Sequence, residues 1–178
     1  MAFDALPQGV RLIPDLISDC LEDRLVEALS AGAWQEDAAG HRAQQFGWWR
    51  PRTHDDVGTP ERFLGPLPDW AAPIVSRLHV LAPFDLAPDH LVVRDFSAGA
   101  VPDLRRGEGR VVATVALLGD LPMQFRRREA QGAWHLTLPR QGALVLTERF
   151  DAGWDRALLP TGTPVPDRLM TLTFRRGA

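Results

Sequence analysis

The chain has 178 residues, enough for one domain with one sizeable core, and its 45% hydrophobic and 24% charged residues are ordinary for a soluble globular protein. A formal net charge of -3 argues against a generally basic nucleic-acid binder but leaves room for a local basic groove. The lone cysteine, Cys20, cannot form an internal disulfide, no apolar run approaches the roughly 20 residues that span a bilayer, and the N-terminus lacks a signal-peptide pattern, so a cytoplasmic protein without a membrane segment is expected.

Val10 to Ile13 predicts a short strand ended by Pro14. Ser18 and Asp19 are good helix N-caps, and Asp19 with Glu22 has capping-box spacing. Leu21, Leu25, Val26 and Leu29 then fall on one helical face, and Gly32 ends the helix. Gln44 to Trp49 predicts a strand. The polar, Pro- and Gly-rich stretch from Arg50 to Gly65 is long for a plain connection, and such stretches often form binding loops or lids. Asp69 is placed to cap a second helix carrying Trp70, Ile74, Val75 and Leu78.

From residue 90 the texture changes. His90 to Phe96, Arg110 to Leu118, Met123 to Arg127, Trp134 to Leu138, Gly142 to Leu146 and Leu169 to Phe174 each predict a strand, separated by Gly, Pro and Asp signals. Two leading helices followed by many short strands point to α+β, with a double-sheet barrel of jelly-roll type. No repeat or linker divides the chain. One domain is expected over 1–178, with helices and a candidate lid in 1–89 and a jelly-roll core in 90–178.

Three segments carry a family resemblance. Gly9-Val10-Arg11-Leu12-Ile13-Pro14-Asp15-Leu16-Ile17-Ser18 is similar to the opening strand and helix cap of the AlkB-like 2-oxoglutarate/Fe(II)-dependent dioxygenases. Gln45-Phe46-Gly47-Trp48 resembles the strand that leads into that family's nucleotide-recognition lid. Arg168-Leu169-Met170-Thr171-Leu172-Thr173-Phe174-Arg175 resembles its closing R…S-L-T-F-R strand. The resemblance implies a double-stranded β-helix (jelly-roll) barrel with N-terminal helices packed on one sheet. It also implies one Fe(II) held by a His-x-Asp pair and a distant His, with 2-oxoglutarate as cosubstrate. The implied chemistry is oxidative removal of an alkyl group from a nucleobase or a protein side chain, a nucleobase being flipped out to reach the iron. Trp48, Trp49 and Arg50 fall where substrate contacts are implied, and adjacent strand residues point to opposite faces, so one tryptophan is expected in the core and the other outside.

The residues at the implied iron and cosubstrate positions depart from the family nearly throughout. The His-x-Asp should follow Phe96-Ser97-Ala98-Gly99, where this chain has Ala100-Val101-Pro102-Asp103-Leu104-Arg105-Arg106. Asp103 could supply a carboxylate, but Val101 cannot bind metal. Arg149…Trp154-Asp155-Arg156 matches the family's R…W-x-H, with Arg156 in the histidine place. A guanidinium has no lone pair to donate and carries a permanent positive charge. At the cosubstrate positions, the family's Asn-x-Tyr becomes Arg94-Asp95-Phe96, Arg175 matches the carboxylate-binding arginine, and Arg168 sits one residue off with Leu169 in its place. All 20 basic residues are Arg, and Lys, Tyr and Asn are absent. Composition drift in a GC-rich genome can remove a functional Asn or Tyr without selection for a new role.

His54, Asp56 and His135 form a formal alternative triad, while His41, His79 and His90 have no partners at ligand spacing and are expected at surfaces or helix ends. Arg94, Arg156 and Arg175, if they converge, need carboxylates such as Asp95, Asp103 and Asp155, or a bound anion. Arg105, Arg106 and Arg110, with Arg126, Arg127 and Arg128, form two basic clusters able to track a phosphate backbone. The residues favour an AlkB-like dioxygenase-fold protein without catalysis, a pseudoenzyme acting by binding to nucleic acid or a protein partner. The alternative is an active dioxygenase demethylating alkylated nucleic acid or protein, loaded with Fe(II) and 2-oxoglutarate.

Overall fold

The structure is a computed structural model that describes residues 6–36, 42–49, 60–81, 87–96, 103–106 (backbone), 111–128, 133–160 and 167–176. In chain order the elements are β1 (Val10–Ile13), α1 (Asp19–Ala31), β2 (Gln35–Glu36), β3 (Arg42–Trp49), β4 (Arg62–Phe63), a 3-10 turn (Asp69–Ala71), α2 (Ala72–Leu81), β5 (His90–Asp95), β6 (Asp103–Arg106), β7 (Val112–Leu117), β8 (Leu121–Arg127), β9 (Ala133–Leu138), β10 (Ala143–Leu146), α3 (Glu148–Gly153), β11 (Trp154–Leu158) and β12 (Met170–Arg175).

The strands form two antiparallel sheets. The larger runs β1-β10-β7-β12-β5-β3-β2, with β4 also on β3, and the smaller runs β6-β11-β8-β9. One face of the larger sheet, with Leu91, Val115 and Phe174, packs on Leu25 and Leu29 of α1 and Ile74 and Leu78 of α2. Its other face, with Ala116, Leu144 and Leu146, meets Met123, Phe125 and Leu158 of the smaller sheet in a second core. This is the α+β jelly roll with helices on one sheet that the strand pattern predicts. No helix among the described residues is long and apolar enough to cross a membrane.

Local chemistry sets the boundaries. Ser18 begins α1, its hydroxyl accepting from the Leu21 amide, and the Gly32 amide closes the helix onto the Leu29 carbonyl. The capping-box expectation is corrected, because the buried Glu22 side chain turns away from the helix start. Its Oε1 accepts from the Leu118 amide at 2.6 Å, and its Oε2 accepts from Arg140 Nε at 2.8 Å and Gln141 Nε2 at 2.8 Å. Asp69 likewise is no side-chain cap: it begins the 3-10 turn, where the Ala71 amide bonds the Pro68 carbonyl.

Part of the expected lid is strand. β3 pairs with β5 up to Gly47, then with β4 through Trp48 and Trp49. Gly47 makes that switch at φ +84°, and a Cβ there would lie 2.0 Å from the Asp89 carbonyl oxygen, so only glycine fits. The sequence pattern does not reveal β6, α3 or β11.

Candidate functional site

On β12, Met170, Leu172 and Phe174 face the helices, so Thr171, Thr173 and Arg175 line the barrel side. Register puts Arg94 beside Thr171, and His90 beside Arg175. Arg94, Arg175 and His90 are all buried, at 3%, 5% and 6% exposure. The surface placement expected for His90 is therefore wrong: it begins a strand whose two faces are both covered. Arg94 and Arg175 do not converge through the backbone. They stand at opposite ends of one strand pair, four residues apart in register, or about 13 Å. Phe96 is buried in the core between the sheets, together with Leu169. Arg168 is exposed just before β12.

Arg156 lies on the opposite wall. It pairs in register with Phe125 of β8 and Arg105 of β6, while Asp103 is opposite Leu158. Phe125 and Leu158 belong to the inner core, so Arg156 shares the inward face of β11. It is 6% exposed and forms a buried ion pair with Asp151 of α3, which is 1% exposed. Asp95 and Asp155, two of the carboxylates expected to neutralise the interior, accept from Arg42 and Arg128 respectively. Sequence periodicity does not reveal the interior partner Asp151, because its helix is only six residues long and its spacing to Arg156 follows no periodic rule. The usable signal was physical: a buried guanidinium demands a carboxylate nearby.

These residues do not fit Fe(II). At the matched second-histidine position stands a guanidinium without a donor lone pair, already ion-paired. Among the described residues, no group of three or more His, Cys, Asp or Glu could hold a metal. In the alternative triad, His135 is exposed on the outer face of the smaller sheet, its Nε2 2.8 Å from Gln124 Nε2. His54, Asp56, Arg50, Val101 and Arg110 lie outside the described residues.

At the lid arm, Trp48 is 42% exposed and packs on Phe63 across the β3–β4 pair, ring centroids 5.2 Å apart. Trp49 is half-buried beside a cleft of about 350 Å³ shared with Gln35, Gln45, Phe46 and Arg62. The two tryptophans thus diverge, with Trp48 outside and Trp49 only partly covered. Of the basic clusters, Arg126 and Arg127 end β8, Arg128 follows it, and Arg105 and Arg106 sit in β6.

No protein-family model matches the chain. It is 30% identical over 128 residues to "Alkylated DNA repair protein ALKBH8 homolog" of Arabidopsis thaliana, covering 67% of this chain and 36% of that protein. It is 23% identical over 173 residues to "tRNA (carboxymethyluridine(34)-5-O)-methyltransferase ALKBH8" of Mus musculus, covering 90% of this chain and 26% of that protein. The chain therefore spans about a third and a quarter of the length of these relatives. A solved structure titled "The structure of OsALKBH1" superposes over 97% of this chain and 100% of that one, with TM-score 0.64 at 17% identity, a likeness of fold. By sequence and by fold the chain is AlkB-like, resembling the 2-oxoglutarate/Fe(II)-dependent dioxygenase family but carrying arginine at the matched second-histidine position.

Proposed function

We propose that this AlkB-like chain acts by binding rather than by oxidising a substrate. The observation that carries this reading is the buried Arg156–Asp151 ion pair at the position the family gives to an iron-binding histidine. A permanent cation in a low-dielectric barrel repels a second cation, and its carboxylate partner is already engaged. The experiment is an anaerobic titration with Fe(II), or Mn(II) in its place, in the presence of 2-oxoglutarate. No stoichiometric binding is expected. One-to-one binding with 2-oxoglutarate turnover overturns the proposal.

One observation favours the alternative, an active dioxygenase demethylating alkylated nucleic acid or protein. Arg175, matched to the family's carboxylate-binding arginine, remains buried on the barrel side of β12. The same titration decides between the two. The relatives' names mention DNA repair and tRNA, which makes nucleic acid the favoured partner class under either reading.

A further inference from the structure

A strand at the edge of a sheet carries unpaired backbone groups, and three of the four sheet edges here are blunted against pairing. β2 has only two residues. β1 has four, with Arg11 exposed among them and Pro14 directly after. β6 carries Asp103, Arg105 and Arg106. β9, at the other edge of the smaller sheet, differs. Its six residues, Ala133-Trp134-His135-Leu136-Thr137-Leu138, include no acidic residue, no arginine and no proline. Among the described residues no strand pairs with β9 on the side away from β8. We propose that β9 pairs antiparallel with β9 of a second copy of this chain, joining two smaller sheets across a two-fold axis.

The neighbouring ladder fixes which backbone groups of β9 are free. The Leu159 amide donates to the Pro122 carbonyl, and the Arg128 amide donates to the Gly153 carbonyl. Even-numbered residues along β8 therefore turn their backbone groups toward β11, and odd-numbered ones toward β9. Met123 stands opposite Leu136 and Phe125 opposite Trp134, so Trp134 and Leu136 bond to β8. Ala133, His135 and Thr137 then aim their N–H and C=O groups out of the sheet. All three residues are exposed. Trp134 and Leu136 are only partly buried against the inner core, the Trp134 ring centroid lying 4.9 Å from that of Phe125.

This phase selects both the partner and the register. Outward residues form hydrogen-bonded pairs only with outward residues. Centred on His135, a second β9 sets His135 opposite its own copy and Ala133 opposite Thr137 of the copy, which gives three such pairs. A slip of two residues either way keeps two, and Pro139, without an N–H, ends pairing beyond Thr137. Between these pairs Trp134 meets Leu136 of the copy on the inner face, where side chains come closest. Gln124 Nε2 lies 2.8 Å from His135 Nε2, which draws the imidazole toward β8 and away from the axis. A free peptide would have to be ordered to fill this edge, whereas a second β9 is already extended and equally uncharged. One strand pair buries less than the roughly 1,200 Å² of a standard interface, so the dimer is weak, with Kd on the order of micromolar to millimolar.

The test is sedimentation velocity of the full chain at neutral pH, from about 10 µM to about 1 mM. The average mass should rise from 19.7 kDa toward twice that value. His135→Pro removes the central outward N–H at an edge position that tolerates proline, so the fold should persist and the rise should vanish. His135→Asp, which sets two carboxylates on the axis, repeats the test should the proline variant fold poorly. Register is read by cross-linking in air, in a Cys20→Ser background because Cys20 is exposed. His135→Cys should form a disulfide-linked dimer, since opposed Cα atoms of a hydrogen-bonded pair lie about 5.5 Å apart. Thr137→Cys alone should stay monomeric, and mixed with Ala133→Cys it should cross-link. A monomer mass up to about 1 mM, an unchanged rise in both His135 variants, or equal cross-linking of Thr137→Cys and His135→Cys alone overturns the proposal. None of these outcomes bears on the metal titration, so the two readings fail separately.

Discussion

The two sheets hide their strands in different ways. In the larger sheet every residue of β7 and β12 is buried, because helices cover one face and the second sheet covers the other. In the smaller sheet burial alternates along β8 and β9, since one face meets water. A polar residue therefore means different things in the two. Gln124, Arg126 and His135 face solvent at little cost. Arg94, Thr114, Thr173 and Arg175 sit in a covered layer, where desolvation has to be offset by partners. Arg156 crosses this division. It belongs to the half-open sheet yet faces inward, and the Asp151 carboxylate from α3 offsets its charge.

The largest expected effect follows from that exception. Asp151→Ala leaves a buried guanidinium without its carboxylate and should destabilise the fold by about 4 kcal/mol in urea unfolding. Asp151→Leu combined with Arg156→Met removes both charges and should cost less than half as much, because hydrophobic replacement of a buried pair is often neutral. If the single variant unfolds within about 1 kcal/mol of the parent, Arg156 is solvated and the inward placement fails. Next in size is Gly47→Ala at the edge of the larger sheet. The new Cβ meets the Asp89 carbonyl, in a backbone conformation that disfavours side chains, and about 3 kcal/mol should be lost. A near-neutral result would mean that the switch from β5 to β4 at Gly47 is not rigid.

The same contrast explains what was legible beforehand. β1 has the predicted bounds, and β5, β7, β10 and β12 fall within a few residues of their predicted bounds, because apolar runs between Gly, Pro and Asp signals identify covered strands. β11 reads Trp154-Asp155-Arg156-Ala157-Leu158, and its two charged residues broke the strand pattern. Its burial depends on Asp151, on a six-residue helix invisible to periodicity. At the candidate site, the sequence identified Arg156 as the substituted position and Arg175 as the retained arginine. It could not tell that Asp95 and Asp155 accept from Arg42 and Arg128, since those contacts depend on strand register.

The smallest effect concerns the tie between α1 and the larger sheet. Burial alone would raise the Glu22 carboxyl, but hydrogen bonds from Arg140, the Leu118 amide and Gln141 outweigh it and hold its pKa below the ordinary 4.5. A carboxylate with a lowered folded pKa stabilises the fold above its unfolded value. That contribution fades as pH falls through the folded value, because protonation releases the donors. Glu22→Gln keeps the shape and removes the charge. At neutral pH it should cost about 2 kcal/mol, since Arg140 is half-exposed and can turn to water. Below the folded pKa the variant and the parent should converge in stability. Parallel stability curves from neutral to acidic pH would show that the Glu22 charge contributes nothing, and that α1 is held to the larger sheet by its apolar face alone.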